Sequence, residues 1–258
     1  MKAFYFDFNG TLETGSEFSL TRAINETLRE MGIGKRYKPE ELLEHFGKPL
    51  DEIVKPNIPL GIDTDYFIRR IQDKDLIYSK KHIRPNDGAE TLIKEIHERC
   101  DRFIILSLVS RKLLNAFLEK YNLNNYVGSI VWEDMAKAIE KLRLFAATPM
   151  HDFNVSQEGY QFLCKTLKEL PSTEEEFKAY QLYFGARSWY SDLTVMIGDA
   201  YEDMSAANKA NELLAEEYRI KKHRKSVISV LFDPDETKPD IPCDYRIRKL
   251  PEVLGLFY

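Results

Sequence analysis

The stretch Ala3-Phe-Tyr-Phe-Asp-Phe-Asn-Gly-Thr-Leu-Glu13 constrains the fold of this chain more than any other. A hydrophobic run ends in an acid, and a glycine and a hydroxyl residue follow at once. Residues 2 to 7 read as a buried strand, with Asp7 emerging at its carboxyl end. Open α/β sheets place ligands at that edge. Gly10 allows a sharp turn and a close backbone approach. Thr11 sets a hydroxyl beside it.

Past this strand the rhythm changes. Ser19 is in position to cap a helix carrying Leu20, Ala23, Ile24, Leu28 and Met31 on one side. A short helix with a glycine stop is expected over 39–47, and another from Asp63 to about Lys80, with Phe67, Ile71 and Leu76 or Ile77 on one face. Nothing here alternates like a strand for long. Residues 14–83 therefore read as a helical cap domain inserted after the first strand. The core then comprises residues 1–13 and 84–258.

From Ile83 the pattern becomes layered. Pro85-Asn86-Asp87-Gly88 is a turn and helix start, and Leu92, Ile93 and Ile96 are the buried stripe of that helix. Phe103-Ile-Ile-Leu106 is an apolar run bounded by Asp101 and Ser107, the pattern of a buried parallel strand. A helix over 111–121 and a strand from Tyr126 to Val131 follow. Residues 133–185 allow three helices, about 133–146, 156–170 and 173–184, and form a candidate extra insertion or partner surface. Leu193 to Ile197 is the next strand, and it runs into Gly198-Asp-Ala-Tyr-Glu-Asp203. Met204, Ala207, Ala210, Leu213 and Leu214 line the helix after it. Strands from Ser226 to Phe232 and Tyr245 to Ile247 and a terminal helix from Pro251 complete the chain. Strands alternating with helices imply a Rossmann-like α/β core with a parallel sheet flanked by helices.

Composition narrows the function classes. With 258 residues, 43% of them hydrophobic, the chain buries a sizeable core in one large domain, or in a core plus a smaller one. A formal charge of -5 and the lack of a basic arm disfavour nucleic acid. The Lys221-Lys-His-Arg-Lys225 cluster reads as a solvated helix end rather than a polyanion patch. Cys100, Cys164 and Cys243 have no paired spacing, which argues for free thiols in a reducing compartment and against disulfides or zinc. No signal peptide or membrane span is expected, so the expected location is cytoplasmic.

Three strand ends carry polar chemistry: Asp7, Ser107 and Asp199. A parallel sheet brings them to one edge. Asp199 and Asp203, four apart, can face one pocket from a helix start. Three such acids repel unless a cation resolves the repulsion. Oxygen ligands alone suit Mg²⁺ better than zinc. Magnesium in turn recruits a phosphate, which Ser107 and the amides around Asn9 and Gly10 are placed to hold. Asp7 is then placed to attack phosphorus in line.

Asp7-Phe-Asn-Gly-Thr-Leu12 together with Gly198-Asp-Ala-Tyr-Glu-Asp203 resembles the first and fourth motifs of the haloacid dehalogenase-like hydrolases. The strand ending in Ser107 resembles the second motif. The helical block before Pro85 and the ending from Pro242 to Leu254 resemble the phosphoglycolate phosphatase and β-phosphoglucomutase group. The resemblance implies a magnesium-dependent phosphatase working through an aspartyl-phosphate. It makes Asp7 the nucleophile, and the Asp7 and Asp199 carboxylates and the Asn9 carbonyl magnesium ligands. Asp203 supports or ligates the metal, and Ser107, Gly10 and Thr11 hold the phosphoryl group. The family also uses a lysine beside the nucleophile. Counting forward from the third strand reaches Lys137 or Lys141, and counting back from Gly198 reaches Lys168 or Lys165. Lys137 is preferred because it follows a strand end.

Asn9 departs from the family pattern, which usually has an aspartate there to protonate the leaving oxygen and then help water attack. An amide does neither. The chain then suits substrates such as acyl phosphates, whose leaving group needs no proton, or borrows an acid from Glu13, Glu17 or Glu26 in the cap. The alternative is a weakly active or non-catalytic protein that binds a phosphorylated ligand or a protein partner. A helical lid implies a small phosphorylated substrate. Phe18, Arg22, Tyr66, Arg69, Arg70 and Tyr201 are candidates for its recognition, with Trp189 and Tyr190 near the fourth motif. No nucleic-acid or membrane partner is expected, and the chain is expected to act as a monomer or weak homodimer.

Overall fold

A computed structural model of the chain describes residues 1–43, 50–54, 63–99, 101–131, 174–187, 193–218 and 227–258. Its strands are β1 (Lys2–Phe6), the two-residue β2 (Glu13–Thr14) and β3 (Arg84–Pro85), β4 (Arg102–Ser107), β5 (Gly128–Val131), β6 (Leu193–Gly198), β7 (Val227–Phe232) and β8 (Tyr245–Ile247). Its helices are α1 (Ser16–Glu30), α2 (Pro39–Leu43), α3 (Leu50–Val54), α4 (Thr64–His82), α5 (Ala89–Glu98), α6 (Arg111–Lys120), α7 (Glu174–Arg187), α8 (Tyr201–Tyr218) and α9 (Glu252–Phe257). Six strands form one sheet in the order β5-β4-β1-β6-β7-β8, and every neighbouring pair is parallel. This is the expected α/β Rossmann-like core.

The period of two along β1 explains why both faces are covered. Phe4 and Phe6 join Phe103, Ile105, Val195 and Ile197 in a core completed by side chains of α5, α6 and α9. Ala3 and Tyr5 face the other way, into a core with Met196, Phe177 and Leu182 of α7 and the small residues Ala206, Ala207 and Ala210 of α8. Phe4, Phe6 and Phe8 are fully buried, which stabilises the fold by roughly 1.5–3 kcal/mol for each ring. Phe6 also stacks on Phe103, with ring centroids 4.2 Å apart.

From β1 the sheet builds outward through β4 and β5 on one side and through β6, β7 and β8 on the other. The order therefore reverses between β1 and β6. At such a switch point the loops leaving two adjacent parallel strands diverge, which opens a crevice at their carboxyl ends. Asp7 follows β1 and Asp199 follows β6, so the two acids flank that crevice.

The helical block has an apolar core of its own, built from Ala23, Ile24, Leu28, Leu42, Ile53, Val54, Phe67 and Ile71. Of the two alternatives on α4, Leu76 packs against the main core while Ile77 is exposed. Helix α1 starts one turn earlier than expected. Ser19 is not its cap but lies inside it, buried, its hydroxyl donating to the Ser16 carbonyl and to Asp75. The cap position belongs to Gly15, whose φ of 100° is open to glycine, and whose amide donates to the Glu17 carboxylate at 3.1 Å. The ribbon in which β2 pairs antiparallel with β3 was not expected either. It joins the two ends of the helical block. The third sheet strand begins at Gly128 rather than Tyr126, because the Tyr126 amide closes a turn onto Leu123.

The expected helix over 173–184 is α7. The first two helices placed in 133–185 lie outside the described residues, as do Lys221–Lys225, Cys100, Cys164, Trp189 and Tyr190. No helix among the described residues is long and apolar enough to cross a membrane.

Candidate active site

The turn after β1 is wound tightly. The Leu12 and Glu13 amides both donate to the Phe8 carbonyl, at 3.0 and 3.1 Å. Gly10 sits in this turn with φ 77°, and a Cβ there would lie 2.7 Å from an Asp199 carboxylate oxygen. Glycine is needed twice over, for the left-handed backbone and for the close approach. Asn86, at the end of the ribbon, fixes the turn from outside. Its side-chain amide donates to the carbonyls of Gly10, Thr11 and Glu13 at 3.0, 2.9 and 3.3 Å, and its backbone amide donates to the Leu12 carbonyl.

Asp7, Asp199 and Asp203 meet at the crevice, each with a carboxylate oxygen within 4.8 Å of the others. Thr11 Oγ1 donates to Asp199 Oδ1 at 3.1 Å. Asp203, on the first turn of α8, is fully buried and accepts from the Ala200 amide. A Cβ on Gly198 would come within 2.1 Å of an Asp203 oxygen, so the end of β6 must also be glycine. Burial raises the Asp203 pKa above the usual carboxylate value, the Asp199 charge raises it further, and Lys178 pulls it back. Three hard oxygen donors in this space fit a divalent cation such as Mg²⁺.

Lys178, from the middle of α7, is the residue that the sequence reading missed. It is 2% exposed, and its Nζ donates to Asp7 Oδ1 at 2.9 Å and to Asp203 Oδ1 at 2.5 Å. A lysine is almost never so buried unless paired. The four lysines weighed from spacing, Lys137, Lys141, Lys165 and Lys168, lie outside the described residues. The Lys178 neighbours Phe177 and Ala179 are both fully buried, a depth that spacing in the sequence does not reveal.

Ser107 ends β4 at the same sheet edge, next to β1, and is 1% exposed, its hydroxyl oxygen accepting from the Val109 amide at 3.3 Å. Asn9 lies in the turn, and its side-chain oxygen is buried without a hydrogen-bond partner among the described residues. Of the acids considered as replacements, Glu17 accepts from the Gly15 amide at the start of α1, and Glu26 is engaged by Tyr78, Arg29 and Lys74 on the helical block. Glu13 is fully buried, with no well-formed hydrogen bond among the described residues and only weaker contact with the Ser16 hydroxyl and amide. Phe18, Tyr66 and Tyr201 are about half exposed. Arg22 stacks on Tyr78, 4.4 Å from the ring centre, and Arg70 pairs with Glu30.

The profile of the haloacid dehalogenase-like hydrolases matches residues 4–141, which begin inside β1 and run past β5. This chain belongs to that family. Among solved structures, a haloacid dehalogenase-like hydrolase from Streptococcus pneumoniae aligns over 100% of this chain and 99% of its own, with 13% identity and a TM-score of 0.63. The Bacillus subtilis HAD-hydrolase YfnB, bound to magnesium, aligns over 99% of this chain and 97% of its own, with 14% identity and a TM-score of 0.58. CbbY from Rhodobacter sphaeroides, in complex with phosphate, aligns over 98% and 96%, with 15% identity and a TM-score of 0.60. At these identities the likeness is one of fold. No curated protein matches the sequence. Family membership gives the acids and Lys178 at the crevice a common chemical context.

Proposed function

We propose that this hydrolase is a magnesium-dependent phosphatase of small phosphorylated metabolites, working through a phosphorylated Asp7. The observation that carries the reading is the convergence of Asp7, Asp199 and Asp203 on one point, with Lys178 bridging two of them. Asp7, Asp199, Asp203 and the Asn9 carbonyl would hold Mg²⁺, which when bound supplies positive charge to the phosphoryl oxygens. Magnesium in YfnB and phosphate in CbbY, two proteins of the same fold, support this choice of metal and ligand.

In the first step an Asp7 carboxylate oxygen attacks phosphorus in line. The new O–P bond forms as the bond to the leaving oxygen breaks. Lys178, whose Nζ donates to Asp7 Oδ1, offsets the charge that accumulates between nucleophile and phosphate. Ser107 and the turn at Gly10 and Thr11 hold the phosphoryl group. In the second step water cleaves the acyl-phosphate, releases phosphate and restores Asp7. Residues 14–83 act as a lid that excludes bulk water and large substrates.

Asn9 shapes the substrate range. Its amide donates a hydrogen bond to a leaving oxygen but no proton. Weakly basic leaving groups therefore suit the site best, and an acyl phosphate belongs in any substrate test. Phosphate release is measured from a panel of phosphorylated metabolites and an acyl phosphate, with and without Mg²⁺, for wild type and Asp7→Asn. Magnesium-dependent release that falls at least about a thousandfold in D7N, with unchanged circular dichroism, is expected. Equal activity in a clean D7N preparation would sink the assignment.

A further inference from the structure

Asp199 has a cationic neighbour that the reaction just described leaves unused. Lys238 Nζ donates to Asp199 Oδ2 at 2.9 Å and to the Asp199 main-chain carbonyl at 2.5 Å. With Thr11 on Oδ1, both carboxylate oxygens of this acid already accept hydrogen bonds. Lys238 is a third exposed at its side chain, and Asp199 a quarter.

The loop after β7 is built to deliver this lysine. Asp233, 1% exposed, follows the strand and accepts from the Thr237 and Lys238 backbone amides at 2.9 and 3.2 Å. Arg246 of β8 donates to Asp233 Oδ2 at 2.6 Å and to the Lys238 carbonyl at 2.7 Å. It also donates to the carbonyls of Pro239 and Ile241, each at 3.3 Å. A buried carboxylate and a guanidinium thus clamp the backbone on either side of Lys238. A surface lysine in a free loop would pay side-chain entropy to hold one geometry. Here the backbone part of that cost is met by the fold.

We propose that Lys238 is a positioning residue and built-in counter-cation of Asp199, which lowers the affinity of the acid cluster for Mg²⁺. The inference rests on the magnesium reading above. Among the described residues, three carboxylates face two ammonium groups, Lys178 and Lys238, and removing Lys238 takes one positive charge from beside Asp199. A carboxylate has about four lone-pair sites, so the lysine and a metal ion share Asp199 rather than exclude one another. They repel across it, and the site binds metal less tightly than its acids alone would. The lysine also spares the metal-free cluster part of its self-repulsion.

The test is calorimetric titration of Mg²⁺ into the full-length protein without substrate. Wild type is compared with Lys238→Met, Lys238→Gln and Lys238→Arg, with Asp199→Asn as a control for the site. K238M and K238Q are expected to bind Mg²⁺ about tenfold more tightly than wild type, and K238R within about twofold, because two charges a few ångströms apart at a partly exposed site interact on that scale. Thermal unfolding confirms that each variant is folded, and K238Q keeps a donor at the position if K238M does not fold. Unchanged or weaker Mg²⁺ binding by the charge-removed variants overturns the inference and leaves the phosphatase reading standing. Mg²⁺ binding by K238M where wild type takes up none at millimolar concentration supports it. No uptake by any protein of the set ends both.

Discussion

Asn9 concentrates the chemical question at the scale of one residue. It stands two positions after the proposed nucleophile, in a turn held by Gly10 and Asn86, with its side-chain oxygen buried and unpartnered among the described residues. Restoring an acid there isolates the value of proton transfer. For Asn9→Asp the expected gain is about 10²-fold or more in kcat on an alkyl phosphate, the low end of what general acid catalysis supplies. An aryl or acyl phosphate has a leaving group that departs unaided, so its first step gains little. Steady-state and single-turnover rates on matched substrates separate that step from hydrolysis of the phosphorylated Asp7, which the new carboxylate also assists. Equal acceleration of the first step on both substrates would show that leaving-group protonation is not what Asn9 withholds.

At the scale of elements, the ribbon β2-β3 ties the turn after β1 to the entrance of the helical block. Asn86 is the joint, with one side-chain amide serving three carbonyls. Asn86→Ala leaves those acceptors to water or to nothing, at a cost of about 1–2 kcal/mol. The expected result is a melting temperature lower by roughly 2–8 °C, from about 2–4 °C per kcal/mol at this chain length. Loss of kcat should exceed any change in KM if the turn holds the phosphoryl group as proposed. An unchanged melting curve with unchanged kcat would refute the role. This joint also marks where reading the sequence ran out. The central strands of the sheet were legible because each is dominated by apolar residues, and the acids at their ends followed from the parallel order. A two-residue strand has no periodicity to detect, so the ribbon was invisible. Ser19 looked like a cap because it precedes an apolar stripe, but Gly15 reaches the left-handed backbone that starts the helix earlier. Lys178 was missed because spacing was counted from strand ends, whereas its place is set by how deeply the middle of α7 is buried against the sheet. Lys238 gave no signal, since only the folded loop brings it to Asp199.

For the molecule as a whole, the helical block meets the rest of the chain over buried acids. Glu13, on β2, has its pKa pushed up to about 8 by burial; the charges of Glu17 and Asp75 add to the rise, and Ser16 opposes it. Asp75, on α4, is pushed up to about 6 by burial, against hydrogen bonds from Ser19 and Ser79. Both folded-state values lie above those of the unfolded chain, so folding favours the protonated forms. Their contribution is fully present below about pH 4 and is lost as pH rises, through about 6 for Asp75 and about 8 for Glu13. Glu26 and Glu30, held low by hydrogen bonds from Tyr78 and Lys74 respectively, act with the opposite sign in acid. The neutral and alkaline limb is therefore the clean window for Glu13. Glu13→Gln removes the titration and keeps the shape. Unfolding free energies from denaturant titrations at pH 5.5, 7 and 8.5 are expected to fall for wild type and to fall less for E13Q. The gap should widen toward alkaline pH by up to about 1.4 kcal/mol per pH unit. A fixed cost of burying an amide without partners would displace the two curves by a constant and leave that slope intact. Parallel curves across the three pH values would mean that Glu13 is ionised, or solvated, in the folded protein.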